Sequence, residues 1–187
     1  LMHNGLSPLP VMRDYMHKLE DAGAECIVIP CNTAHYWFKE LKDACHIDIL
    51  SIIDTTVDEV RVCGKTRIGL LATDATLYMG LYQKGIESLG FNYITPDADG
   101  QKNVMKSIYS LKAGNVTHAQ KLMEEQAENL FSRGAEILIL GCTEIPIILS
   151  QAVKDQPLRY IDSTASLVRA GIKWYENRIG KDQHLTQ

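Results

Sequence analysis

A segment beginning at Gly23 is written a second time beginning at Gly134, and a chain that repeats itself this closely has few folds open to it. Gly23-Ala24-Glu25-Cys26-Ile27-Val28-Ile29-Pro30-Cys31-Asn32-Thr33 stands against Gly134-Ala135-Glu136-Ile137-Leu138-Ile139-Leu140-Gly141-Cys142-Thr143. Each copy follows an amphipathic helical stretch. Val11, Met12, Tyr15, Met16 and Leu19 fall at helical spacing before the first, and Ala119, Leu122, Met123, Ala127 and Leu130 before the second. Gly23 and Gly134 are placed to end those helices in the left-handed conformation that glycine adopts most cheaply. The apolar runs that follow are continuous rather than alternating, which predicts short parallel strands covered on both faces.

A second pair of anchors follows at nearly the same offset. Leu50-Ser51-Ile52-Ile53-Asp54-Thr55-Thr56 resembles Leu158-Arg159-Tyr160-Ile161-Asp162-Ser163-Thr164, with a helix-like stretch behind each. Between the halves, Ile68–Ala72 reads as a strand, Tyr78–Leu89 as a helix and Phe91–Thr95 as another strand. Alternation of strands and helices defines an α/β fold, and duplication predicts two pseudo-symmetric parallel-sheet lobes. The expected division gives residues 1–63 with 156–187 to one lobe and 65–155 to the other.

Composition narrows the function classes. The chain of 187 residues carries a formal net charge of −4 and shows no basic stripe, which argues against nucleic acid or an anionic membrane surface as partner. Its apolar runs are too short for a membrane span. Five cysteines form no CxxC pair, so a disulfide framework is not expected, and a reducing, cytoplasmic setting is. The chain opens on Leu1 rather than Met, which leaves any targeting signal unreadable.

Cys31 and Cys142 are the repeat-related thiols, each expected where a parallel strand ends and a helix begins. Ligands of open α/β sheets bind beyond the carboxyl ends of strands. A helix N-terminus there would favour a thiolate or a bound carboxylate. Asn32, Thr33 and Thr143 are helix-cap types whose side chains can also hold an anion. One cysteine at the end of a buried strand is ordinarily a small core hydrophobe; two in the same context in two halves point to chemistry. Facing lobes would bring both thiols to one cleft, where one removes an α-proton and the other delivers a proton to the opposite face. An unperturbed thiol pKa of about 8.5 suits that exchange.

These residues carry a resemblance. Pro30-Cys31-Asn32-Thr33-Ala34-His35 and Leu140-Gly141-Cys142-Thr143-Glu144 are similar to the two active-site motifs of the aspartate/glutamate racemase superfamily, over a span from about Pro8 to the end. Glutamate racemases proper usually carry His after the second Cys-Thr, and Glu144 resembles the aspartate and broad-specificity branch. The resemblance implies a site between two α/β lobes, a homodimer, an acidic amino acid as substrate, and neither pyridoxal phosphate nor metal. It implies Cys31 and Cys142 as catalytic pair, with Asn32, Thr33 and Thr143 binding substrate. Thr73, and after it Thr76, would hold the α-carboxylate. Lys112, in Ser107–Asn115, would hold the side-chain carboxylate, or is otherwise a solvated helix-end cation. A Gly-rich first strand and an Arg-bearing segment of the family are absent from this sequence.

Other residues read more plainly. Cys31 and His35 lie at i, i+4, but no further metal ligands converge on them. Glu144 either complements a helix dipole or orients Cys142 or the substrate amine. Asp54 and Asp162 read as helix caps, Pro96–Gly100 as a turn, and Cys26, Cys45 and Cys63 as packing or surface residues. The same two-cysteine cleft would also serve a maleate isomerase, a hydantoin racemase or a decarboxylase. A non-catalytic amino-acid-binding protein would keep the cleft without the reaction, and a redox thiol protein is disfavoured by the spacing of the cysteines.

Overall fold

Helix α1 (Leu9–Asp21) carries Pro10 in its first turn, where the missing N–H has no partner to lose. It ends at Gly23, whose φ of 85° places it in the left-handed region. The computed structural model describes residues 5–184, so the ends of the expected first lobe lie outside the described residues. After α1 come strand β1 (Cys26–Val28), a 3-10 turn (Thr33–Trp37), α2 (Phe38–Ala44) and β2 (Asp48–Leu50). β1 and β2 pair in parallel as a two-stranded sheet. Met16, Ile27, Trp37 and Leu41 form the small core beneath it.

The chain continues through α3 (Ile52–Val62), β3 (Arg67–Ala72), α4 (Asp74–Tyr78), α5 (Gln83–Ser88) and β4 (Asn92–Ile94). Then follow α6 (Ala98–Lys112), α7 (Val116–Ser132), β5 (Ile137–Gly141), α8 (Ile145–Ile148), α9 (Ser150–Asp155), β6 (Tyr160–Asp162) and α10 (Ser163–His184). The four later strands form a second parallel sheet in the order β4-β3-β5-β6. Its central strands divide their side chains between two cores with the period of two that a strand dictates. Ile68, Leu70, Ala72, Ile137 and Ile139 face α3 and α5, packing with Ile52, Val60 and Ile86. Leu71, Leu138 and Leu140 face α6 and α7, packing with Ile108, Met123 and Leu130. Each such fully buried side chain is worth ~1.5–3 kcal/mol, so this sheet holds most of the apolar burial. The expected α/β architecture with parallel sheets is the one found.

Tyr160–Asp162 pairs with Leu138–Leu140 in the larger sheet, on which α3 also packs, while α10 reaches residues in and beside the small sheet, Trp174 donating to Asp48 and Arg178 to Glu25. Several local expectations are corrected. β1 is only partly buried, with Val28 exposed, because its sheet has just two strands. The stretch Tyr78–Leu89 is not one helix: α4 ends at Tyr78, the chain turns through Gly80, whose φ is 65°, and α5 begins at Gln83. Pro96–Gly100 is a helix start: Asp97 Oδ1 accepts the Gly100 N–H at 2.8 Å. Ser51, not Asp54, caps α3, accepting the Asp54 N–H at 3.0 Å. Asp162 does cap α10, accepting from Thr164 and Ala165.

Candidate active site

Cys31 and Cys142 each follow a parallel strand, as the repeat predicts, but the strands lead into little helix. Cys31 precedes the 3-10 turn and Cys142 the four-residue α8, so aligned backbone dipoles contribute far less than a long helix would. Cys31 is exposed and Cys142 buried. The expectation of two thiolate-favouring helix ends is not met at Cys142. Its Sγ–H donates to Glu144 Oε2 at 2.9 Å, an interaction that favours the protonated thiol. Burial first, and the carboxylate second, push the Cys142 pKa up to about 12.

Glu144 is shared. Thr143 Oγ1 donates to the same Oε2 at 3.1 Å, and Lys112 Nζ, at the end of α6, approaches Oε1 at 3.0 Å. Partial burial pushes the Glu144 carboxyl up, but the bonds from Cys142 and Lys112 outweigh it and hold the pKa at about 2. The hydrogen bond to Glu144 in turn raises that of Lys112. Lys112, Thr143, Glu144 and Cys142 thus form one charge-assisted chain, running from an exposed cation to a buried thiol.

A second cluster joins the first cysteine motif to the loop after β3. Thr33 Oγ1 lies 3.0 Å from Thr73 Oγ1 and 2.9 Å from Thr76 Oγ1. Thr73 and Thr76 lie 2.9 Å apart, closing a triangle of three hydroxyls. Thr73 also caps α4, accepting the Thr76 N–H at 3.2 Å. Thr73 and Thr76, expected at the α-carboxylate, and Thr33, expected to bind substrate, are brought together by the end of β3 and the loop after Cys31.

Asn32, expected to bind substrate, lies inside the protein. It is 3% exposed, its Nδ2 donates to Ser163 Oγ at 3.2 Å, and its Oδ1 accepts from the Tyr82 hydroxyl. Both ends of the amide are occupied inside the protein, and no side-chain cap bond forms at Asn32. Ser163 Oγ passes the connection on, donating to the Leu140 carbonyl at 2.8 Å. Tyr82 is fully buried, and burial pushes its phenol pKa up. A Cβ on Gly141 would lie 3.1 Å from Tyr82 Cε2 and 3.2 Å from the Leu71 carbonyl, so glycine before Cys142 lets that ring approach.

His35 holds the Cys31 loop. Its Nδ1 lies 2.9 Å from the Cys31 carbonyl, and its Nε2 accepts the Ile52 N–H at 3.0 Å. This fixes the neutral tautomer with the proton on Nδ1. Burial lowers its pKa, against the bond to the Cys31 carbonyl. With both nitrogens committed, His35 has no lone pair left for a metal.

Sequence reasoning missed Tyr82 and Ser163. Tyr82 sits in no repeat and carried no signal. Ser163 lies in the second anchor, beside Asp162, and its position after a strand end was the available clue.

Residues 3–171 match the Asp/Glu/Hydantoin racemase family, and the chain belongs to that family. It is similar to the broad specificity amino-acid racemase RacX of Bacillus subtilis, 31% identical over 159 residues, covering 84% of this chain and 68% of that protein. It is also similar to the glutamate racemase of Persephonella marina, 29% identical over 147 residues, covering 76% of this chain and 55% of that one. Among solved structures, the Picrophilus torridus aspartate racemase superposes with a TM-score of 0.82 at 32% identity, over 92% of this chain and 71% of that chain. The chain thus spans about half to seven-tenths of the length of these relatives. Those proteins are amino-acid racemases, a class of isomerase, and the family expected from the two cysteine motifs is the one found.

Proposed function

We propose that this site racemises an acidic amino acid, aspartate or glutamate, without a cofactor, Cys31 and Cys142 serving opposite faces of Cα. The observation that carries the reading is the pair of networks behind the two cysteines. His35 and Asn32 fix the loop of Cys31, Asn32 and Ser163 tie it to the strand of Cys142, and Cys142 holds its proton on a carboxylate. One cysteine takes the α-proton while Cys142 delivers its own to the other face; the reverse reaction exchanges the roles. The hydroxyls of Thr33, Thr73 and Thr76 supply donors for the α-carboxylate, and Lys112 supplies a cation for the side-chain carboxylate. Both near-attack contacts at about 3–3.5 Å require a sulfur separation on the order of 7 Å in the closed form. The proposed assembly is a homodimer acting in the cytoplasm.

The test is incubation of the protein with L- and D-aspartate and L- and D-glutamate, each alone and without pyridoxal phosphate or metal, followed by chiral analysis. Conversion of either amino acid toward a racemic mixture is expected. Stabilisation of the protein by these amino acids with no change of configuration would overturn the reading in favour of a binding protein.

A further inference from the structure

We infer that Glu144 fixes which cysteine carries the proton in the empty site, making Cys142 the resting acid, so that the first turnover accepts one enantiomer only. The inference rests on the two-base reading above and goes beyond it by assigning the starting state. The two cysteines are not equivalent in their surroundings. Cys142 donates to Glu144 Oε2 at 2.9 Å, and that carboxylate is held in place by Thr143 at 3.1 Å and Lys112 at 3.0 Å. Cys31 is exposed, and among the described residues no carboxylate is bonded to its sulfur.

Electrostatics then select the state. A thiolate at Cys142 would have no proton to donate and would lie against a carboxylate that is itself ionised, a like-charge contact in a buried place. The charged and titratable groups that bear on the pair are few. Glu144 lies on the same turn, Lys112 comes from α6 with Tyr109 near it, and the Tyr82 hydroxyl stands on the α5 side with its proton retained. Lys112 is the single cation among these, and it is engaged by Glu144. Glu144 is therefore a positioning residue that acts through Cys142.

The proton count follows. An enantiomer whose α-hydrogen faces Cys31 gives that proton to Cys31, and Cys142 gives its thiol proton to the opposite face of Cα. The product leaves Cys31 as thiol and Cys142 as thiolate. The resting state returns when Cys142 takes a proton from solvent and Cys31 gives one up. Because two enantiomers have equal free energy, kcat/KM is the same for both directions whatever the resting state. The asymmetry shows instead in the first turnover.

The experiment mixes excess protein with one equivalent or less of D- or L-aspartate and follows conversion on the millisecond scale, for the wild type, Glu144→Gln and Glu144→Asp. In the wild type one enantiomer is expected to convert without delay and the other after a lag. Glu144→Gln should abolish the difference and Glu144→Asp should retain it. Equal first turnovers in the wild type, or a difference unchanged in Glu144→Gln, would overturn the inference. Alkylation by iodoacetamide, followed at the Cys142 peptide by mass spectrometry across pH 7–10, reads the thiol without any racemisation. Gln keeps the shape and removes the charge, and each unit of lowered pKa raises the thiolate fraction about tenfold below the pKa. A rise of at least about tenfold at pH 8 in Glu144→Gln, absent in Glu144→Asp, is the expected result. Equal alkylation in all three proteins would defeat the inference even where racemisation is found. A protein that racemises nothing but shows the alkylation shift would defeat the proposed function and leave the role of Glu144 standing.

Discussion

Asn32 donates from its side-chain amide to Ser163 Oγ at 3.2 Å, and Ser163 donates to the Leu140 carbonyl, so the residue beside Cys31 is fastened to the strand that presents Cys142. Tyr82 completes the arrangement from the other end of the amide. Asn32→Ala would leave the Tyr82 hydroxyl without its acceptor in a place water does not reach. The expected loss of stability is about 1–3 kcal/mol, measured as a lower urea midpoint at unchanged slope. A double-mutant cycle with Tyr82→Phe should recover part of that cost, because the orphaned hydroxyl is then gone. Additive losses would show the two side chains to be independent.

His35 gives a pH dependence. Its folded pKa lies below the ordinary 6.5 because burial disfavours the cation. The unfolded chain therefore binds more protons as pH falls, so the stability contributed by neutral His35 is complete above about 6.5 and declines as the pH drops through that value toward the lower folded one. Urea midpoints between pH 5 and 8 should fall on the acid side, and His35→Gln should flatten that part of the profile. The same variant loses the acceptor for the Ile52 N–H unless its amide reaches it, at a cost of about 1–3 kcal/mol.

Glu144 works at lower pH and with the usual sign for a carboxylate. Its pKa is about 2 in the folded protein against 4.5 ordinarily. Its contribution is present above about 4.5 and is lost as the pH falls from there toward 2. Acid unfolding of Glu144→Gln should accordingly begin from a lower plateau and show a shallower decline across that window. An acid profile unchanged by the substitution would contradict the shared network of Cys142, Thr143, Glu144 and Lys112.

Lys112 bears on specificity. Its side chain is 56% exposed in the pair with Glu144, so water screens it and a bound carboxylate gains only modestly. Lys112→Ala is expected to lower kcat/KM for aspartate about 1.5- to 5-fold, the ~0.2–1 kcal/mol of a solvent-exposed charge pair. An amino acid without a side-chain carboxylate should be little affected. Unchanged kinetics for aspartate would return Lys112 to the role of counter-ion for Glu144 alone.

The repeat made much of this legible. Gly23 and Gly134 end their helices with positive φ, and the continuous run Ile137–Gly141 is a strand buried on both faces, because helix caps and buried parallel strands leave strong local marks. Ser107–Asn115 correctly put Lys112 at a helix end. What the sequence leaves hidden is non-local. Nothing near Tyr160–Asp162 says that it pairs with β5 rather than with the small sheet, since both choices bury the same residues. Asn32 looked like an anion binder because an amide has the same donors whether they face a ligand or a buried serine. Tyr82 was invisible for a related reason, as its partner is 50 positions away.

The measurement that reaches the central claim is α-hydrogen exchange in D₂O by the two single-cysteine variants, read by mass spectrometry and chiral analysis. Serine is a far poorer base of similar shape, so neither variant should racemise. The cysteine left behind, as its thiolate, still serves the face it fronts, more slowly in Cys31→Ser because burial and Glu144 keep Cys142 protonated. Cys31→Ser and Cys142→Ser are expected to wash deuterium into opposite enantiomers of aspartate or glutamate, without inversion and without added cofactor. Substantial racemisation in either variant, exchange of the same enantiomer by both, or a requirement for pyridoxal phosphate would contradict the account.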